Sequence, residues 1–232
     1  MKPYRASRPR TPGCCIVSPD VTLHGFHPEL LALPARLAGE RVVITPFRRG
    51  DGPAIYEAVD EDRNHLYPWL PWVDHHASPD DSEAFARRAA GMWLTREDLI
   101  VALRDHDGHF LGGSGLHRID WERRAFEIGY WLRKSATRRG IVTEAVQLLT
   151  ALCFGRLEGS RVEIRCDPDN RPSSAIPERL GFLREGHFRN QIKAPDGELR
   201  DTLVYALTPV SFSDLPWAPA ALAVVDAADA DG

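Results

Sequence analysis

Residues 127–145, EIGYWLRKSATRRGIVTEA, constrain the fold more than any other stretch. They read as a strand, a short basic turn and the opening of a helix. Arg138, Arg139 and Gly140 stand where the strand gives way to the helix. A helix start leaves backbone N–H groups unpaired and carries the positive end of the helix dipole. A glycine there lets the backbone come close to a ligand, and the two arginines add charge. The combination predicts an anion site suited to a phosphate or pyrophosphate. An ordinary strand–turn–helix with a solvated basic turn has the same local signature, so the flanking segments matter.

Those segments read as one α/β domain over residues 29–208. The helix over about 139–154 is amphipathic, with Ile141, Ala145, Leu148, Leu149 and Leu152 at spacings of three and four. Upstream, 41–47 reads as a strand, 51–61 as a short helix and 66–73 as an irregular aromatic turn. A helix starts at Pro79-Asp-Asp-Ser and runs to about 95. Strands at 99–104 and 110–119 are joined by Asp107-Gly108, a strong hairpin signal. A turn at 120–124 leads to a third strand, 125–133. Downstream come a strand at 162–166, a helix at 173–180 ended by Gly181, and strands at 182–188 and 202–207. Residues 1–28, rich in Pro, Arg and Ser with Lys2, Arg5, Arg8 and Arg10, read as a tail. Residues 209–232 are rich in Ala and Asp without a clear period and read as a second tail.

Composition narrows the partners. The formal net charge of -4 argues against a nucleic-acid or anionic-membrane partner. No apolar run reaches the roughly 18 residues of a membrane span, and no apolar segment follows the basic N-terminus as in a secretory signal. The four cysteines, at 14, 15, 153 and 166, form no C-x-x-C pair and read as reduced thiols of a cytoplasmic protein. The nine histidines include no H-E-x-x-H, and no metal site is expected.

Four motifs in order resemble the GNAT superfamily of acyl-CoA N-acyltransferases, and within it the RimL/RimJ-like branch that acetylates N-terminal amines of ribosomal proteins. Leu66-Tyr-Pro-Trp-Leu-Pro-Trp72 is similar to the branch's aromatic segment and Glu127-Ile-Gly-Tyr-Trp-Leu132 to its central strand. The 138–143 turn is similar to its phosphate turn. Asn170 to Phe182, followed by Glu185-Gly186, is similar to its Asn-x-x-Ser helix and next strand. The resemblance covers about 40–207 and implies a GNAT fold, with a mixed, mostly antiparallel sheet split near its middle and flanked by helices. It implies acetyl-CoA as co-substrate, no metal, and an amine acceptor attacking the thioester directly.

The resemblance also assigns residues. Arg138, Arg139, Gly140, Ile141, Val142 and Thr143 would hold the pyrophosphate. Tyr130, Trp131 and Leu132 would pair with the pantetheine arm as if with an added strand, and a backbone N–H there would stabilise the thioester oxyanion. Asn170 caps its helix and would contact the same arm. Ser173 would protonate the leaving thiolate. Glu127 is the first candidate to take the acceptor's proton, and His117 on the preceding strand is an alternative base. Trp69 and Trp72, with His117, would line the acceptor site. The turn departs from the family's usual Gln/Arg-x-x-Gly-x-Gly/Ala at Thr137 and Val142, which predicts weakened CoA binding, and Pro177 predicts a kink beside Ser173. Three functions remain open: acetylation of a protein N-terminus, with a homodimer compatible with the resemblance; acetylation of a small amine such as an amino acid, polyamine or antibiotic; and acyl-CoA binding without catalysis.

Overall fold

The computed structural model describes residues 25–194 and 197–228. Cys14, Cys15 and the basic residues of the first ten positions lie outside these.

One eight-stranded sheet organises the chain, in the order β1-β2-β3-β4-β5-β6-β8-β7. Its strands are β1 (Leu37–Ala38), β2 (Val43–Pro46), β3 (Leu99–Arg104), β4 (Phe110–Asp120), β5 (Ala125–Leu132), β6 (Arg161–Cys166), β7 (Leu183–Lys193) and β8 (Leu199–Leu207). All pairings are antiparallel except β5 with β6. The β3–β4 hairpin turns where Asp107-Gly108 predicts, with Gly108 at φ 89° and the Gly108 N–H donating to Asp105 O at 3.1 Å.

Among the described residues, seven α-helices flank the sheet: α1 (Gly52–Asp60), α2 (Arg63–Leu66), α3 (Pro79–Thr95), α4 (Ile141–Gly155), α5 (Arg171–Leu180), α6 (Pro209–Ser213) and α7 (Ala218–Ala227). The start of α3 follows its sequence signals: Ser78 is the N-cap, its hydroxyl accepts from the Asp81 N–H, and Pro79 opens the first turn. α1 and α3 cover one face of the sheet around Phe47, Ile55, Val59 and Phe110. α4, α5 and α7 cover the other, over Leu116, Phe126, Ile128, Val162 and Ile164.

The chain beyond 208, where composition predicts a tail, folds back instead. Small residues hid this: Ala218 and Ala221 are buried with Val225 on one side of α7, which packs along α4. Phe212 of α6 stacks 4.8 Å from Phe154 at the end of α4. The N-terminal boundary moves as well, because Phe26 lies 6.1 Å from Trp121 and under the Arg124 guanidinium at 3.9 Å.

Removing residues 209–232 exposes the surface that Phe212 and Val225 cover. A fully buried side chain of this size contributes about 1.5–3 kcal/mol. The truncated chain is expected to lose about 3–6 kcal/mol of unfolding free energy, measured by urea denaturation; an unchanged midpoint would mean that α6 and α7 are dispensable.

Candidate active site

β5 and β6 run together for three residue pairs, Ala125–Arg161, Phe126–Val162 and Glu127–Glu163, and then part. On its other side β5 stays paired with β4 to Leu132. The Arg133 N–H donates to Leu111 O at 2.9 Å, which sets the phase of the ladder. Alternation then turns the backbones of Glu127, Gly129 and Trp131 toward β4, that of Ile128 toward β6, where its N–H completes the Glu127–Glu163 pair, and those of Tyr130 and Leu132 toward the gap. Of the three residues expected to meet a pantetheine arm, Tyr130 and Leu132 face the open edge. Trp131 does not; its ring packs 5.4 Å from Trp72 and 5.7 Å from Phe110 on the opposite face. Ile128, at the branch point, was not singled out by the sequence pattern.

The anion turn lies just beyond this edge. Arg138 takes φ 61°, and Gly140 is the N-cap of α4 at φ 77° with no side-chain cap. The first N–H groups of α4 are therefore left for a ligand. Ile141 and Val142 bury their side chains in the core and leave their backbones at the helix start. The Val142 side chain, one of the two departures from the family's turn, thus points into the core and leaves only its backbone at the turn. Two cations join Arg138 and Arg139. Arg41 stands beside Gly140, its Cδ 3.4 Å from where a Cβ would lie, and Arg179 Nη1 is 3.4 Å from Thr143 Oγ1. Both come from distant parts of the sequence.

Two sets of bonds hold the turn. The Glu144 carboxylate accepts the N–H groups of Glu40 and Arg41, each at 2.7 Å. Glu61 accepts from Arg133 Nε and the Ser135 N–H, each at 2.6 Å, and Glu57 from Arg133 Nη2 at 2.8 Å. Glu61 and Asp60, the latter 3.0 Å from Arg63 Nε, are thus occupied in structure.

Across the gap, Asn170 caps α5, its Oδ1 accepting from the Ser173 N–H at 3.3 Å. α5 runs through Pro177 without a break. A proline at 177 offers no N–H to the carbonyl four residues back, which belongs to Ser173. That carbonyl accepts the Tyr130 hydroxyl at 2.9 Å instead, and the Ser173 hydroxyl lies 3.4 Å from the same phenol oxygen. Pro177 therefore frees the group that ties β5 to α5. Burial pushes the Tyr130 phenol up, so it stays protonated. Burial likewise pushes the Cys166 thiol, at the end of β6, up to about 12.

The opposite face of β5 is polar. Burial raises the Glu127 carboxyl, against the opposing pull of Arg118 and Arg165. Its Oε2 lies 3.3 Å from Arg118 Nη1 and 3.2 Å from Arg165 Nε. His117, opposite Glu127 in register, has its Nδ1 2.9 and 3.1 Å from the two Asp98 carboxylate oxygens. Trp69 stacks under the Arg200 guanidinium, 5.5 Å from ring centroid to Cζ, and Arg200 Nη1 donates to Pro68 O at 3.0 Å. The aromatic segment is thereby joined to β8 across the gap. Trp72 instead joins a core cluster, 5.4 Å from His76. Among the described residues, Asp105, Asp107 and His109 bring candidate metal-ligand atoms together, but Asp105 already accepts the His109 N–H and meets Nδ1, each at 2.8 Å.

Residues 41–183 match the acetyltransferase (GNAT) domain family. The chain is 31% identical over 171 residues to a putative ribosomal N-acetyltransferase, YdaF, of Bacillus subtilis, spanning 72% of this chain and 91% of that protein. It is 34% identical over 132 residues to a ribosomal-protein-serine acetyltransferase of Escherichia coli, spanning 57% and 73%. The fold superposes with a TM-score of 0.70 on RimL, a ribosomal α-N-protein acetyltransferase solved with coenzyme A, at 21% identity over 75% of this chain and 97% of that one.

His76 anchors the aromatic wall. It is buried against Phe85, 5.1 Å away, with Nδ1 2.8 Å from Ser82 Oγ. Burial, then the nearby Arg63, His75 and Arg88, lower its pKa to about 4 from 6.5. The unfolded chain therefore binds a proton that the folded chain does not between those two values. This contribution to stability is intact above 6.5 and is lost as pH falls toward 4, with a slope of up to about 1.4 kcal/mol per pH unit. His76→Gln is expected to flatten that part of the stability–pH curve, followed by urea denaturation; parallel curves for the two proteins would refute the assignment.

Proposed function

This chain belongs to the GNAT acetyltransferase family and is an acetyl-CoA-dependent enzyme, and we propose that its acceptor is the N-terminal amine of a protein, with ribosomal proteins the first class to try. The observation that carries the reading is the parting of β5 from β6 directly beside the start of α4. In this reading the pyrophosphate sits on the 140–143 N–H groups, with Arg138, Arg139, Arg41 and Arg179 around it. The pantetheine amides pair with Tyr130 and Leu132, and Asn170 flanks the same arm. The Tyr130 N–H, the first beyond the last β5–β6 pair, would donate to the thioester oxygen as charge develops on it.

The amine lone pair then forms the N–C bond, and the C–S bond breaks with its electron pair on sulfur. Of the two protons an ammonium must shed, one leaves through a base on the polar face, Glu127 or His117, and passes to water. The other ends on sulfur, with the Ser173 hydroxyl as donor. Trp69, clasped by Arg200, forms the acceptor's aromatic wall, backed by the core-packed Trp72. The relatives acting on ribosomal proteins support the acceptor. The reading includes a reducing cytoplasm, where the buried Cys153 and Cys166 stay as free thiols. It also includes a homodimer through the β7–β8 hairpin, whose Phe188, Ile192 and Leu199 are 45%, 50% and 58% exposed. No helix among the described residues is long and apolar enough to cross a membrane.

The test pairs calorimetric titration of acetyl-CoA with thiol release from a hexapeptide bearing a free N-terminal serine. The same peptide with a blocked N-terminus is the control, and spermidine and free serine are competing acceptors. Arg138→Ala/Arg139→Ala is expected to weaken acetyl-CoA binding by about tenfold or more, charged hydrogen bonds being worth about 1.5–3 kcal/mol each. Ser173→Ala is expected to lower kcat by about 100-fold with little change in acetyl-CoA affinity. Turnover of spermidine or serine without the peptide would replace the acceptor by a small amine. Tight acetyl-CoA binding with no thiol release from any amine would leave a non-catalytic binder.

A further inference from the structure

Asp98 directly precedes β3, and it pairs with the one histidine on the polar face of β4. Leu99 is opposite Leu116 in the β3–β4 ladder, so the same register puts Asp98 opposite His117, and His117 is in turn opposite Glu127. Three polar side chains thus stand in a row across three neighbouring segments of the sheet, on the face away from α4. The imidazole lies flat over two glycines. A Cβ at Gly115 would be 3.0 Å from His117 Nε2, and one at Gly129 would be 3.1 Å from it. Any side chain at either position would push the ring away. Gly129 lies between Ile128, whose backbone faces β6, and Tyr130, whose backbone faces the open edge.

The geometry points to His117 as the base that deprotonates the acceptor amine and to Asp98 as its positioning residue. This assignment rests on the acetyl-transfer reading above. Asp98 meets Nδ1 with both oxygens, which selects the tautomer protonated at Nδ1 and leaves the lone pair on Nε2. Nε2 has no hydrogen-bond partner among the described residues, and the His117 side chain keeps 30% of its surface exposed. Glu127 is differently placed: its carboxylate is held between Arg118 and Arg165, and accepting a proton would break up that pairing. The charged neighbours of the ring are Asp98 on the β3 side, Glu127 on β5 and Arg118 next along β4. In the step itself, Nε2 takes one proton from the ammonium, the freed nitrogen pair attacks the thioester carbon, the C–S bond breaks with its pair on sulfur, the nitrogen's second proton ends on that sulfur through Ser173, and the imidazolium returns the first proton to water. Asp98 balances the positive ring while it lasts.

The test uses the full-length enzyme, acetyl-CoA and the hexapeptide with a free N-terminal serine, or spermidine if that is the amine turned over. His117→Gln and His117→Ala are expected to lower kcat by about 100-fold while the acetyl-CoA Kd changes less than about twofold, which also reports that the variants are folded. Added imidazole restores part of the rate of His117→Ala. Asp98→Asn is expected to lower kcat by about tenfold or more. In 15N-histidine-labelled protein, the His117 ring, identified by its loss in His117→Gln, carries its proton on Nδ1 in the wild type and loses that preference in Asp98→Asn. A His117→Gln enzyme at wild-type kcat, or a tautomer indifferent to Asp98→Asn, overturns this assignment alone. A wild type that acetylates neither the peptide nor spermidine overturns the acetyl-transfer reading and this assignment together.

Discussion

The structure turns on a sheet that stops being a sheet. Two strands that pair in parallel for three residues and then separate leave backbone donors and acceptors without partners in the middle of a domain. An open strand edge is ordinarily a liability, since it invites another strand. Here it is protected by position. α4 packs against Phe126 and Ile128 from one side, and α5 meets β6 and β7 beyond the gap. The neighbouring helix start offers a second set of unpaired N–H groups. An elongated molecule with amides along its length and phosphates at one end satisfies both sets at once.

What keeps the gap from closing is as specific as what opens it. At the apex, Glu127 and Glu163 stand side by side on paired strands, and their like charges are separated by Arg165, which reaches both. Arg161 adds a second bond to Glu163 at 2.7 Å. Further out, the strands are spanned by the Tyr130 hydroxyl on the Ser173 carbonyl and by Arg200 on Pro68 and Trp69. The first bond exists because Pro177 cannot supply the usual helical donor. A residue that looks like a defect in a helix thereby fixes the distance between the two walls of the site.

Much of this was legible in the sequence, and the failures have physical causes. Strong periodicity gave α4, Ser78-Pro79 gave the start of α3, and Asp107-Gly108 gave the first hairpin, because each rests on local chemistry. The 138–143 turn was legible for the same reason: strand, arginines, glycine and helix follow one another in the chain. α7 was missed because its buried contacts are Ala218, Ala221 and Val225, and alanines make almost no amphipathic contrast. The positions of Arg41, Arg179 and Asp98 were not legible because they come from tertiary register. Nothing near residue 98 in sequence indicates that a histidine nineteen residues on lies directly across from it. Pro177 predicts a kink, whereas α5 continues through it; which group uses the vacated carbonyl depends on a strand forty-three residues earlier.

The two faces of β5 divide the chemistry. Ile128, Tyr130 and Leu132 send their side chains toward α4 and α5, the side on which the Tyr130 and Ser173 hydroxyls lie 3.4 Å apart and to which the proposed mechanism assigns the thiol. Glu127 and Gly129 turn the other way, onto the face where His117 lies, the side on which α1 and α3 pack over β2, β3 and β4. Bond formation and bond breaking at a thioester carbon need an acceptor of protons on one side and a donor on the other. A strand alternates its side chains between two faces with a period of two, so β5 separates the two sides to which the proposed mechanism assigns these demands, His117 of β4 on one and Ser173 of α5 on the other. The glycines at 115 and 129 complete the division: on the α4 face the neighbouring positions are filled by Leu116 and Ile128, whereas on the polar face the same two strands are left bare enough for an imidazole ring to lie against the backbone.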